Sequence, residues 1–225
     1  MRLALSTCVI LLLAGCSGPE ALLERPYDFR GISLGISQAE LRQLPWPGED
    51  EHVHFICTGD RSASGRAYAY VEIEGPLAEI GVTRCAYEAE QGSPYYPGTA
   101  GLNMGGGRYV SHDHAFWFIA DPEDQIARLY AIDLPTNVDA AYNVLSALND
   151  RFGEATTSET TTLQNGFGAT FQGTIQVWRN SVSSITVRAP DEQLDKMRVA
   201  YLHTRLSAHV NELLERRQRA IPDRM

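Results

Sequence analysis

The sequence predicts an α+β fold in which a helix followed by antiparallel strands occurs twice and a long amphipathic helix closes the chain. Three observations carry this reading. Ser37-Gln38-Ala39-Glu40 has the form of a capping box, in which the serine accepts from a free helical N–H and the glutamate reaches back. Ala67, Ala69, Val71 and Ile73 alternate with Tyr68, Tyr70, Glu72 and Glu74, the period of a strand with one buried face. Apolar residues recur at helical spacing from Val138 to Phe152 and again toward the C-terminus. Helices segregated from antiparallel strands argue α+β.

Each element follows in order. Residues 17 to 30 form a polar tether with Pro19 and Pro26. Leu41 and Leu44 give the first short helix its apolar side, and Pro45 and Pro47 end it. Strand-like runs lie at His54 to Thr58, Arg66 to Glu74 and Glu79 to Glu88, followed by a loop rich in Gly and Tyr from Gly92 to Arg108. His114 to Asp121 and Ile126 to Leu134 read as a hairpin over Pro122-Glu123-Asp124. Thr136 then suits the cap of a helix, with Asp139 three places on. Val138, Ala141, Tyr142, Leu145, Leu148 and Phe152 form that helix's stripe, and Gly153 sits where a C-terminal glycine belongs. Strands follow at Glu159 to Gln164, Ala169 to Trp178 and Val182 to Arg188, the last two joined by a tight turn at Arg179-Asn180-Ser181. A terminal helix is expected from Asp191 to about Ala220, with Leu194, Met197, Tyr201, Leu202, Leu206, Val210, Leu213 and Leu214 as its apolar side.

The N-terminus is of another kind. Arg2 supplies a positive start, Leu3 to Ala14 is apolar, and Leu13-Ala14-Gly15-Cys16 closes the segment. The apolar run is shorter than the ~20 residues a membrane span needs, and its flanks are those of a signal peptide. The segment resembles the lipobox of bacterial lipoproteins. That resemblance implies cleavage before Cys16, a lipid on its sulfur and export to the cell envelope. In a Gram-negative host, Ser17, rather than an aspartate, then implies the outer membrane, facing the periplasm. The domain reading is a signal peptide at 1–15, a lipidated tether at 16–30, a globular body at 31–190 and a C-terminal amphipathic helix with tail at 191–225. The body is one domain or two tandem halves, 31–134 and 135–190. Its opening, Phe29-Arg30-Gly31-Ile32-Ser33-Leu34-Gly35-Ile36-Ser37-Gln38-Ala39-Glu40, resembles small bacterial lipoproteins of the β-lactamase-inhibitor-like fold group. The small lipoprotein subunit of the outer-membrane barrel-assembly machine belongs to that group. This likeness covers Phe29 to Ala189 and leaves the terminal helix without a counterpart.

Charge and cysteine content narrow the partners. The chain carries a net charge of −9, and loss of Arg2 with the signal makes it one unit more negative. Nucleic acid is a poor partner for such a chain, because its affinity depends on neutralised phosphates. An anionic lipid surface is equally unsuited. Of four cysteines, Cys8 leaves with the signal and Cys16 takes the lipid. Cys57 and Cys85 remain, and in an oxidising compartment they are expected to form a disulfide.

Candidate chemistry is sparse. His52 and His54 form one H-x-H, and His112 and His114 another. Residues two apart on a strand share a face, so two such strands side by side would offer four imidazoles to Zn²⁺ or Cu²⁺. Against this stands the reading of solvated histidines at strand and loop ends. His203 and His209 fall on different faces of a helix. Gly101-Leu102-Asn103-Met104-Gly105-Gly106-Gly107-Arg108 lacks the Gly-Lys-Ser/Thr ending of a phosphate loop. Tyr95, Tyr96, Leu102 and Met104 in that region would suit docking to a partner, or would cover the core. Asp121, Glu123, Asp124 and Asp133 include no pair placed for acid–base work, and turn chemistry explains the first three. No Gly-x-Ser-x-Gly, Ser-x-x-Lys or Cys/His nucleophile pattern is present. The expectation is therefore a lipid-anchored envelope protein with a non-catalytic binding or assembly role and no cofactor, held at the membrane and engaging another envelope protein. The alternatives are a metal-binding or sensing lipoprotein using the two H-x-H pairs and a periplasmic enzyme inhibitor.

Overall fold

The computed structural model describes residues 24–47, 52–61, 71–89, 100–104, 109–164 and 167–220. Its centre is one eight-stranded antiparallel sheet. The strands are β3 (Val53–Cys57), β4 (Thr83–Ala89), β7 (Ala115–Ala120), β8 (Ala127–Asn137), β9 (Thr157–Gln164), β10 (Thr170–Arg179), β11 (Ser183–Ala189) and β12 (Lys196–His203). They lie in the order β3-β4-β7-β8-β12-β11-β10-β9. Two small hairpins accompany the sheet: β1 (Asp28–Phe29) with β2 (Ile32–Ser33), and β5 (Leu102–Met104) with β6 (Tyr109–Ser111). The helices are α1 (Gln38–Leu41), α2 (Pro76–Glu79), α3 (Ala141–Phe152) and α4 (Thr204–Ala220).

This overturns the α+β expectation. The fold is predominantly β, and all eight long strands share one sheet rather than forming two helix-plus-strand halves. Of the helical expectations for the C-terminus, α4 stands, but it begins at Thr204. Lys196–His203 is a central strand instead. The physical reason lies in the spacing: Met197, Val199 and Tyr201 are buried at every second position, whereas Lys196, Arg198 and Leu202 face the other way. Strand period two won over a helical reading that depended on Leu194, Met197, Tyr201 and Leu202. Val71 to Glu74 is likewise not strand, and residues 66–70 lie outside the described residues.

The main core lies on one face of the sheet. Phe116, Phe118, Ile132, Leu134, Val199 and Trp178 are buried there, against Val144 and Leu148 of α3 and Phe29 and Ile32 of the first hairpin. Each such side chain contributes about 1.5–3 kcal/mol by leaving water. Across the sheet, Ile119, Tyr130 and Ala131 meet Leu206 and Val210 of α4, with Leu77 and Ile80 beside them.

Local chemistry explains the element ends. The capping box forms: the Glu40 N–H donates to Ser37 Oγ, and Glu40 accepts from the Ser37 N–H. A single 3-10 turn, Val138–Ala140, leads into α3, and Asn137 caps that turn: its side-chain oxygen accepts from the Asp139 N–H at 2.8 Å. Thr136 does not cap; its hydroxyl donates to the Val110 carbonyl at 3.2 Å and ties β6 to β8. Gly153 ends α3 at φ +80°, a left-handed conformation that suits glycine. Asn180 holds the β10–β11 turn by accepting from the N–H groups of Val182 and Ser183.

Candidate functional site

The register of the sheet assembles a charged cleft on the same face that α4 packs against, beyond the stretch where the helix meets Trp117 and Ala131. Arg84 on β4 pairs with Trp117 on β7, Trp117 with Ala131 on β8, and Asp133 with Ala200 on β12. Period two then places Arg84, Asp133 and Arg198 on one face. The segment between β11 and β12 brings Asp191 and Glu192 to the rim, and Asp113 joins from the turn before β7. The cavity they line has a volume of about 320 Å³.

Arg198 is the hub. Its Nη1 donates to Asp133 Oδ2 at 2.6 Å and its Nε to Asp191 Oδ2 at 2.7 Å. The Arg84 guanidinium lies 5.5 Å from the centre of the Trp117 ring, within cation–π range. Two buried polar atoms here have no hydrogen-bond partner among the described residues: Asp133 Oδ1 and Arg84 Nε. Burial raises the Asp133 carboxyl above the ordinary aspartate range, and the charge and hydrogen bond of Arg198 oppose that rise. Burial also pulls Arg84 down, against the charges of Asp113 and Asp133. Such a site can bind a polar or charged group, because a donor is lacking at Asp133 and an acceptor at Arg84.

The histidines are dispersed. His52 is exposed at positive φ just before β3, and His54 is exposed on that strand, opposite Glu88. His112 is half-buried in the turn before β7, and His114 is 1% exposed. Both His114 nitrogens serve the fold: Nε2 accepts from the Tyr87 N–H at 3.0 Å, which leaves the proton on Nδ1, directed at the Ser111 carbonyl 3.3 Å away. Among the described residues, no three or more His, Cys, Asp or Glu side chains gather to hold a metal ion. The four imidazoles of the alternative metal-binding reading do not come together among the described residues, and His114 instead serves as a clamp on β4.

Cys57 and Cys85 are directly opposite on β3 and β4 and form a disulfide. Leu102 and Met104 are buried at 0% and 4% exposure, so they belong to the core and not to a docking surface. Their strand pairs with β6, and alternation turns both side chains inward. Tyr95, Tyr96 and Cys16 lie outside the described residues. Asp121 and Asp124 make the turn bonds between β7 and β8: Asp121 Oδ1 accepts from the Glu123 N–H at 3.0 Å and Asp124 Oδ1 from the Ile126 N–H at 2.9 Å. Asp121 accepts from Arg205 Nη1 and Nη2 at 2.8 and 2.6 Å, and Asp124 accepts from Arg128 at 2.6 Å.

Sequence reasoning passed over Arg84 and Arg198 and treated Asp133 only as one carboxylate among four. A usable signal was present in Ile132-Asp133-Leu134, a charge within an apolar strand. Its partners came from strands distant in sequence. The chain matches no family model, no curated protein and no solved structure.

Proposed function

We propose that this protein is a lipid-anchored cell-envelope protein that binds a partner without catalysing a reaction, at the outer membrane and facing the periplasm. The anchor reading rests on Leu13-Ala14-Gly15-Cys16 and the apolar run before it. The binding reading rests on one observation, the pair of unpartnered buried atoms, Asp133 Oδ1 and Arg84 Nε, in a cleft where Arg198 is already bonded to Asp133 and Asp191. A polar side chain of the partner that donates to Asp133 and accepts from Arg84 would complete both groups. The absence of catalysis is supported by the state of the usual actors. The cysteines Cys57 and Cys85 are oxidised, His114 is engaged at both nitrogens, and Asp121 and Asp124 are held by arginines. No helix of the described residues is long and apolar enough to cross a membrane.

The test is photo-cross-linking in cells, with a light-activated residue in place of Gln193 at the cleft rim and, as control, in place of Glu215 on α4. An adduct specific to the Gln193 position, lost on Arg84→Gln, is the expected result. Equal labelling from both positions would overturn the cleft as the binding place. Cys16→Ser in parallel should release the protein from the membrane fraction with its melting temperature unchanged; continued membrane attachment would overturn the anchor.

A further inference from the structure

We propose that β9 is a self-pairing edge, through which two copies of this chain join their sheets antiparallel into one continuous sheet. The strand is last in the sheet order and bonds on one side only, to β10, in unbroken register from Thr157↔Val177 to Gln164↔Thr170. Its outer side has no strand among the described residues. Most of β9 is solvent-exposed, as are the first residues of β10, so this end of the hairpin stands away from the body.

Natural edges are protected by lysines, prolines, bulges, short length or covering groups. The opposite edge of this same sheet shows such covering. On β3, Arg42 Nη1 donates to the Phe55 carbonyl at 3.0 Å and the Cys57 N–H donates to Asp60 at 2.8 Å, so side chains occupy the strand's outer groups. Among the described residues, nothing comparable guards β9. Its sequence, Thr-Ser-Glu-Thr-Thr-Thr-Leu-Gln, has no lysine, no proline and a single charge, at Glu159. Threonine, being β-branched, favours the extended chain.

Self-complementarity identifies a second copy as the occupant. Directly opposed residues of an antiparallel pair turn their N–H and C=O groups to the same side, so a strand meets its own copy in registers centred on a residue. Centred on Thr160, Glu159 lies opposite Thr161 and Ser158 opposite Thr162. Centred on Thr161, Glu159 lies opposite Leu163 and Thr160 opposite Thr162. Both registers keep the two Glu159 carboxylates from facing each other and set threonine against threonine or serine, a favourable cross-strand pairing. The single charge thus leaves the centre of the strand free to pair with itself.

The test uses the full chain with Thr160→Cys or Thr161→Cys, oxidised in the cells that produce it and again after purification, and read on non-reducing gels. Glu215→Cys on α4 is the control. A covalent dimer from one of the β9 positions and not from Glu215→Cys is expected, and it identifies the central residue. Adding Thr160→Lys to Thr161→Cys should abolish the dimer while leaving the melting temperature unchanged, since Thr160 is exposed. Sedimentation of the unmodified chain should show a dimer that grows with concentration and is lost in Thr160→Lys. A monomer at every concentration, cross-linking equal to the control, or a dimer indifferent to Thr160→Lys overturns the proposal.

Discussion

The Tyr87 N–H donates to Nε2 of His114 across 3.0 Å, so a side chain from the turn before β7 completes the backbone bonding of β4. The imidazole is fully buried, packed beside the rings of Phe116 and Tyr87. A protonated ring would lose its acceptor and place a charge in the core.

Acid stability should report this contact. Burial lowers the His114 pKa to about 3, against which the Ser111 carbonyl acts weakly. The folded value lies below the unfolded one, so the unfolded chain takes up the proton first. Stability is therefore intact above about pH 6.5 and falls progressively from there toward pH 3, by about 2 kcal/mol at pH 5. In urea titrations His114→Gln should flatten that slope, since the amide oxygen can still accept from Tyr87 and does not titrate. An unchanged slope would show that the acid sensitivity arises elsewhere.

Removing the disulfide should cost stability. Cys57 and Cys85 are 28 residues apart in sequence, and closing a loop of that size is worth about 3–4 kcal/mol in the chain-entropy model. Cys57→Ala with Cys85→Ala should lower the denaturant midpoint accordingly under oxidising conditions. Reductant should shift the parent protein toward the same midpoint and leave the double variant where it is.

Asp121 and Arg205 couple the β7–β8 turn to the first turn of α4. Hydrogen bonds from Arg205 hold the Asp121 carboxyl down at about 2. Its folded pKa is depressed, so the contribution is present above about pH 4 and is lost as the pH falls toward 2. Solvent reaches Arg205, which limits the pair to about 1–2 kcal/mol. Arg205→Gln should lower stability by that amount at neutral pH and by little at pH 2, measured by thermal unfolding across the range.

Asymmetry is expected at the cleft. Arg198→Met deprives Asp133 and Asp191 of their shared partner and should destabilise by about 1–2 kcal/mol at pH 7. Asp133→Asn leaves Arg198 bonded to Asp191 and should cost less. The Arg198→Met penalty should shrink at lower pH, because Asp133 already has a raised pKa and escapes its burial by taking a proton. Equal penalties in the two variants, or one indifferent to pH, would contradict the hub role of Arg198.

How much was legible in the sequence follows from the range of each interaction. Ser37 and Glu40 meet within one helical turn, so their box could be read directly, as could the Asn180 turn and the Gly153 stop. The cysteine pair was readable by elimination. Met197 to Leu202 was not, because a few apolar residues fit both periods and only pairing with β8 and β11 decides between them. The cleft was hidden for the same reason. Arg84, Asp133 and Arg198 are separated by long stretches of chain, and only the strand register aligns them. His114 looked like a ligand because its neighbour pattern is local, whereas its acceptor role depends on a backbone N–H of another strand.

The side chains of Arg42 and Asp60 that occupy the outer edge of β3 have a consequence for how the sheet can grow. A stacking process that adds molecule after molecule needs two usable ends on each one. With β3 covered by its own side chains, whatever joins β9 uses the remaining end, and growth stops there. Association by strand addition is thereby limited to a closed pair, and a segment as rich in threonine as β9 can stay open without seeding fibrils.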